Sequence, residues 1–387
     1  MYFRLILVSL VSMLLIGCNK DKVEEETLWG LHQEPIEPKE LPQDSGVEEL
    51  RILWKDNIGG GAVDGFAQLK PAIYESSIFV VNRSGDVYRR DANSGDVIWK
   101  VEVNKAVNSG VGVDEGLVVF SFDNGYVSAL NASDGSVRWS SSLKRNVSAI
   151  PVVGKGRVVI RTSDGLVVGL DSETGSTAWQ IKKEVPALTI HGDSLPAITG
   201  DAVLVGLSSG KLIANNVISG RDYWEADLSF VRGQNELERL NDSDSSPIIQ
   251  GATVYTATYQ GSVIAAQLQD ASTIWRTDMS TRLPMAVSGD SIIVTEELGN
   301  IFSLNTSDGV IQWKQDAFTG HGVSYPVVVN GKIVIGDSHG NIHTLDAKSG
   351  ALIETRNIAK GAVLELVTNG EIFSVLTTQG ELVTLSL

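Results

Sequence analysis

The chain has 387 residues, 42% of them hydrophobic and 20% charged, which is enough apolar content for a large core. Its formal net charge of −16 repels phosphate backbones and anionic membrane surfaces, so nucleic acid is not a partner and any membrane contact needs an anchor. Cys18 is the one cysteine, which leaves the mature domain no disulfide, no zinc cluster and no cysteine nucleophile.

At the N-terminus Arg4 precedes an apolar run over 5–16, too short to span a bilayer as a mature helix. Residues 1–17 therefore read as a signal peptide. The run ends in Leu15-Ile16-Gly17-Cys18, which resembles a bacterial lipobox whose Cys is lipidated. Asn19 stands where an Asp would imply inner-membrane retention, so the resemblance implies the periplasmic face of the outer membrane. Several acyl chains, at about 0.8 kcal/mol per buried CH₂, make such an anchor stable. Residues 18–46 then read as the lipidated Cys and an acidic tether, with Pro35, Pro38 and Pro42 and no strand alternation. As a flexible coil the tether spans about 29 Å.

From 47 to 387 one repeat fills the chain. Its unit is a Gly, an alternating strand ending near Leu-Asp or Leu-Asn, a second Gly, then a Trp. The first Gly falls at 85, 125, 165, 210, 261, 299, 340 and 380, in steps of 40, 40, 45, 51, 38, 41 and 40. A period near forty with several short strands predicts an all-β, eight-bladed β-propeller of four-stranded antiparallel blades. One copy reads as strands over 148–152, 157–162, 166–171 and 177–180. Pro71, Pro151, Pro196, Pro247, Pro284 and Pro326 share the first-strand slot, where an edge position tolerates a missing N–H.

Seven of the eight Trp share another slot, at 54, 99, 139, 179, 224, 275 and 313, where a large ring can pack between blades. The seventh copy has Glu354 there, and the fifth has Ala271 for its second Gly, so those two junctions are expected to be less regular. The last copy lacks a fourth strand, and residues 50–54 are a fourth strand without a repeat. Pairing them closes the ring and removes an open edge.

The surplus residues sit in two connections. From blade Trp to the next first-strand Pro the count is 12 for Trp139–Pro151 and 13 for Trp313–Pro326, but 17 for Trp179–Pro196 and 23 for Trp224–Pro247. These two connections are consecutive and emerge on one face, the usual place for a binding surface. They contain Leu188, Ile190, His191, Arg239, Asp242 and Asp244, apolar residues beside charges as a protein contact requires. The connection Trp54–Pro71, also 17 residues, holds Gly59-Gly60-Gly61 and reads as a turn.

Other chemistry is weak. Gly206-Leu-Ser208-Ser-Gly210 matches a nucleophile elbow but joins two strands with no helix following. Asp242-Ser-Asp244-Ser-Ser246 lacks the Gly and Glu of a calcium loop. His339 and His343 are expected on one strand face without a third ligand.

The unit Gly-x-Val-x-x-Leu-Asp-x-x-x-Gly-x-x-x-Trp resembles the repeat of pyrroloquinoline quinone (PQQ) dehydrogenases. That implies the propeller over 50–387, but not the activity, since those cofactor sites use adjacent cysteines and a calcium-ligating acidic cluster. No cofactor or metal is expected. Lipobox, length, acidic tether and repeats together resemble the PQQ-like repeat lipoproteins of the outer-membrane β-barrel assembly machinery. Leu188-x-Ile190-His191-Gly192-Asp193-Ser194 resembles that family's Leu-x-Leu-Arg-Gly-Glu-Ser loop. Arg239-Leu240-x-Asp242-x-Asp244-x-x-Pro247 resembles its Arg-Leu-x-Asp-x-Asp-x-x-Pro motif. The resemblance implies a non-enzymatic scaffold that binds the POTRA domains of BamA through these loops. It also implies contact with other subunits of the complex, and with unfolded outer-membrane proteins. His191 replaces the family Arg, which makes that contact weaker or pH-sensitive. A PQQ-dependent dehydrogenase-like enzyme and a general envelope protein-binding propeller remain as alternatives, distinguished by a bound quinone band and by affinity for BamA.

Overall fold

The computed structural model describes residues 36–59, 69–147, 149–186, 194–227, 245–258 and 261–387. Contacts divide the chain into two units, Met1–Glu37 and Pro38–Leu387, and only Ile36 and Glu37 of the first are described.

The second unit is eight four-stranded antiparallel sheets. Blade 1 is built from Ala72–Tyr74, Ser77–Val81, Asp86–Asp91 and Val97–Glu102. Blades 2 to 7 repeat this over 112–142, 152–182, 197–227, 248–278, 286–315 and 327–357. Blade 8 takes three strands from 363–386, and its fourth is Arg51–Asn57, paired antiparallel with Glu381–Ser386. The expected closure by the two chain ends is therefore present.

First strands of neighbouring blades approach one another around the axis. Second strands are sandwiched between blades, so Ser77–Val81 and Leu117–Ser121 are buried at every position. That is why these strands read as continuous apolar runs while the fourth strands alternate. The prolines differ from expectation. Pro71, Pro151, Pro196, Pro247 and Pro326 lie just before the three-residue first strands, and Pro284 two residues before Ala286–Ser288. A Pro there ends the incoming connection without removing a ladder N–H from so short a strand.

Every third–fourth strand pair carries a register shift next to the Trp slot, as where Gly169 pairs Trp179 but Leu170 pairs Thr177. The bulge twists the outer edge and disrupts its ladder, which blunts pairing with another chain.

Each of the seven Trp indole N–H groups donates to a carbonyl in the next blade, at 2.8–3.1 Å, as in Trp139 Nε1 to Ser172 O at 2.8 Å. The second Gly gives the ring its space: a Cβ on Gly175 would lie 2.5 Å from Trp139. Ala271 corrects the expectation for its junction. It holds the same left-handed turn (φ 59°), and Trp224 still donates to Leu268 O at 3.0 Å. That junction is regular because one methyl is tolerated at the cost of backbone strain.

The Glu354 junction differs in kind. The next blade has no third-to-fourth turn there, because its fourth strand enters from the N-terminal side. It presents N–H groups instead, and Glu354 Oε2 accepts from Glu49 N at 2.7 Å and Leu50 N at 2.9 Å. An acceptor replaces a donor because the partner groups have changed sign.

Residues 38–46, expected within the tether, lie along blade 7 and the connection before it. Lys39 N donates to Thr319 O at 3.1 Å, Lys39 Nζ pairs with Asp316 at 2.8 Å, and the His321 ring donates to Lys39 O at 2.7 Å. Leu41 packs into the cluster around Phe318, and Ser45 N donates to Ile353 O at 2.9 Å.

Candidate partner-binding face

In an antiparallel four-stranded blade, the turns between strands two and three and the connections to the next blade emerge at the same end. Contacts between them define one face. Arg83 in the turn of blade 1 grips Asp123 in the turn of blade 2 with two bonds of 2.7 Å, and Asp123 N reaches Ala106 O in the connection at 3.3 Å. Ser163 N, in the turn of blade 3, donates to Asn146 O at 3.0 Å.

The long connections leave this face between blades 3 and 4 and between blades 4 and 5. Leu188, Ile190, His191, Arg239, Asp242 and Asp244 lie outside the described residues, as does Cys18. The feet of both connections are described. Ser194 Oγ donates to Ser245 O at 3.4 Å, and Leu195 N donates to Ser246 Oγ at 2.9 Å. Ser194 and Ser245 are fully buried. The two connections therefore return to the ring side by side, fastened to each other. On the outgoing side Lys183 pairs with Glu225 at 2.7 Å and Lys211 with the same carboxylate at 2.8 Å. Hydrogen bonds from Lys183 and Lys211 hold the Glu225 carboxyl down at about 2.

Sequence reasoning missed the basic side chains that continue this face. Arg145 and Lys182 both reach Asp164, Lys182 at 3.0 Å. A hydrogen bond from Thr162, outweighing burial, and the two cations hold Asp164 at about 2. The signal was present: Lys105 and Arg145 stand one repeat apart, in equivalent connections.

The remaining sequence candidates resolve as structure. Ser208 sits in a turn and its Oγ accepts from Arg161 at 2.6 Å, with strand Lys211–Asn216 following rather than a helix. His339 and His343 do not share a strand face. His339 lies in the turn, while His343 is buried in Asn341–Asp346. There His343 Nε2 donates to Asp337 at 3.3 Å, Nδ1 accepts from Thr355 Oγ1 at 2.9 Å, and the ring stands against Phe318. Burial pushes the Asp337 carboxyl up, but hydrogen bonds from His343, Asn341 and two backbone N–H groups hold it at about 2. The pair fills blade 7 internally.

The axial channel holds a cavity of about 610 Å³ lined by first strands of blades 1 to 4 and 8. Its wall mixes aliphatic Ile73, Val113, Val152 and Ile198 with charged Lys70, Asp114, Glu115 and Lys155. Lys70 stands 4.7 Å over the Tyr325 ring and beside Glu365, which accepts from Tyr325 at 2.7 Å. A planar anionic quinone needs ring stacking and free cations. This lining has Lys155 but no aromatic ring, so it offers PQQ no stacking surface.

A family profile described as outer membrane protein assembly factor BamB matches residues 83–315, more than half of the chain. The BamB of Legionella pneumophila (strain Paris) is 39% identical over 99% of both chains. That of Pseudomonas aeruginosa is 37% identical over 91% of this chain and 90% of its own, and that of Escherichia coli K12 is 28% identical over 96% and 98%. Among solved structures, Moraxella catarrhalis BamB superposes with a TM-score of 0.79 at 23% identity, covering 87% of this chain and all of that one. A europium-containing methanol dehydrogenase gives 0.72 at 12% identity over 87% and 93%, a likeness of fold alone. The chain belongs to the outer membrane protein assembly factor BamB family.

Proposed function

We propose that this protein is a non-enzymatic scaffold of the outer-membrane β-barrel assembly complex. It docks the POTRA domains of BamA on the face that carries its two long connections. The observation that supports the reading is the fastening of the returning ends of those connections, Ser194 to Ser245 and Leu195 to Ser246, which brings the feet of two consecutive insertions together. Leu188 and Ile190 supply its apolar centre, and Arg239, Asp242 and Asp244 its charged rim. His191 adds a contact whose charge varies with pH. Cys18, lipidated after removal of residues 1–17, holds the propeller at the periplasmic face of the outer membrane, and residues before 38 give it reach. Docked there, the scaffold assists folding and insertion of barrel proteins, alongside other subunits of the complex.

The test is binding of the chain from Asn19 onward to the POTRA domains of its own organism's BamA, beside a variant with Leu188→Glu and Ile190→Glu. Wild type binds and the variant does not, with the melting temperature unchanged. Equal binding by both removes these loops from the site. Absence of binding by wild type returns the protein to a general envelope-binding propeller.

A further inference from the structure

The segment over 38–46 is a strap with a direction. Lys39 is bonded to Asp316, Thr319 and His321, all in the connection from blade 6 to blade 7. That connection lies on the face of the two long ones. Gly320 N donates to Leu298 O in the turn between strands two and three of blade 6, and Ser338 Oγ, in the same turn of blade 7, donates to His321 O at 2.9 Å. Six residues after Lys39, Ser45 N and Oγ both donate to Ile353 O, at 2.9 and 2.8 Å. Ile353 is the second residue of Leu352–Asn357, beside the turn between strands three and four, so Ser45 lies toward the opposite face. Pro38 and Pro42 favour extended backbone. Six steps of about 3.1 Å cover about 19 Å, close to the roughly 20 Å of a six-residue strand. The strap thus crosses the blade wall from one face to the other. The chain then meets Glu354 and Lys332 through Glu49 and enters Arg51–Asn57 from that opposite face. Leu41, packed into the cluster shared by blades 6 and 7, is the one residue of 36–48 that is not exposed. The Lys39–Asp316 pair is about half exposed on both sides, at 48% and 57%, and contributes little. Leu41 is therefore the main hold.

We infer that this strap makes the lipid anchor leave the ring on the face that carries the long connections, and so turns that face, with the partner docked on it, toward the bilayer. The inference rests on the proposed lipidation of Cys18 and on the reading of the long connections as partner-binding. Reach changes little with the state of the strap. Seated, it leaves residues 19–37 as tether, about 24 Å as a coil; released, it leaves 19–48, about 30 Å. The exit changes completely. With the strap seated the chain departs beside Lys39, on the connection face. With the strap released it departs beside Glu49, on the opposite face. One half-buried leucine therefore selects between the two faces of the ring. A net charge of −16 keeps the ring from adhering to an anionic bilayer by itself, so the point of attachment governs which face is presented.

The experiment places the full-length lipidated protein on vesicles of phosphatidylethanolamine and phosphatidylglycerol whose headgroups carry an acceptor dye. A donor dye is attached through Gln379→Cys, in a turn of blade 8 on the connection face, or through Lys348→Cys, in a turn of blade 7 on the opposite face; both positions are exposed. Cys18 is the one native cysteine and is acylated, so only the introduced thiol reacts. With the strap intact, energy transfer is expected to be greater from position 379 than from 348. In Leu41→Asp the order reverses while the protein stays on the vesicles. In neutral detergent, trypsin is expected to cut after Lys39 about tenfold faster in Leu41→Asp, with the melting temperature unchanged. Equal cutting rates overturn the strap. Faster cutting with the same order of transfer in both proteins, or no difference between the two positions with the strap intact, overturns the orientation and leaves the anchor standing. Failure of the wild-type protein to remain on vesicles overturns the anchor and this proposal with it, whereas the partner-binding reading fails separately, by absence of POTRA binding.

Discussion

Seven junctions of this ring are fastened by a donor and one by an acceptor. Where a Trp indole meets the turn of the next blade, the groups within reach are carbonyls, and one N–H satisfies them. At the blade 7–8 junction the chain arrives from its own N-terminus and offers the N–H groups of Glu49 and Leu50. Glu354 is there for the same reason that Trp is elsewhere. Arg356, bonded to Leu50 O, and Lys332, paired with Glu49, add charge-assisted contacts at this one junction. A repeat position is thus defined by the groups it must satisfy, and the residue type follows.

The comparison can be broken most severely at the Trp side. Trp139→Ala removes a ring that is 7% exposed and leaves a void between blades 2 and 3. The expected cost is about 3–5 kcal/mol, read as a lower urea midpoint. Glu354→Ala leaves two backbone donors without an acceptor, which costs about 2–4 kcal/mol. Glu354→Gln keeps a carbonyl and recovers most of that loss. Glu354→Trp does not, because a donor then faces donors, and a variant as stable as wild type would refute the sign argument.

A smaller effect lies in blade 7 behind that junction. Asp337 has its carboxyl lowered from 3.8 to about 2. Its folded value lies below its unfolded value, so its contribution is fully present above about pH 4 and is lost as pH falls toward 2. The expected loss is about 2 kcal/mol, so Asp337→Asn should flatten the acid limb of a stability–pH curve relative to wild type. The smallest effects separate the regular junctions from the strained one. Ala271→Gly relieves a left-handed Ala and should raise stability by about 1 kcal/mol. Gly175→Ala should lower it by at least as much, since the new methyl meets Trp139 at 2.5 Å. Equal responses at the two sites would show that turn strain, rather than the Trp contact, governs the slot.

Much of this was legible in the residues. The Gly and Trp spacing predicts eight blades, and the unmatched strands at the two ends predict closure. Glu354 could be noticed only as a departure. Its role depends on which backbone groups face it, and that is decided by two segments some three hundred residues apart in sequence. His343 was misplaced because a four-residue spacing says nothing of where a turn ends and a strand begins. The prolines were misplaced by a residue or two because the first strands are so short.

For the candidate face, loop length marks the two long connections, since insertions in a repeat are countable. That their feet are fastened together required the folded ring. Sequence alone determined the fold and its closure, because each repeat must bury its apolar strands against the next and eight such units exhaust the chain. Only the tertiary structure decided what each exceptional residue does, because the sign of a hydrogen bond belongs to groups brought together in space.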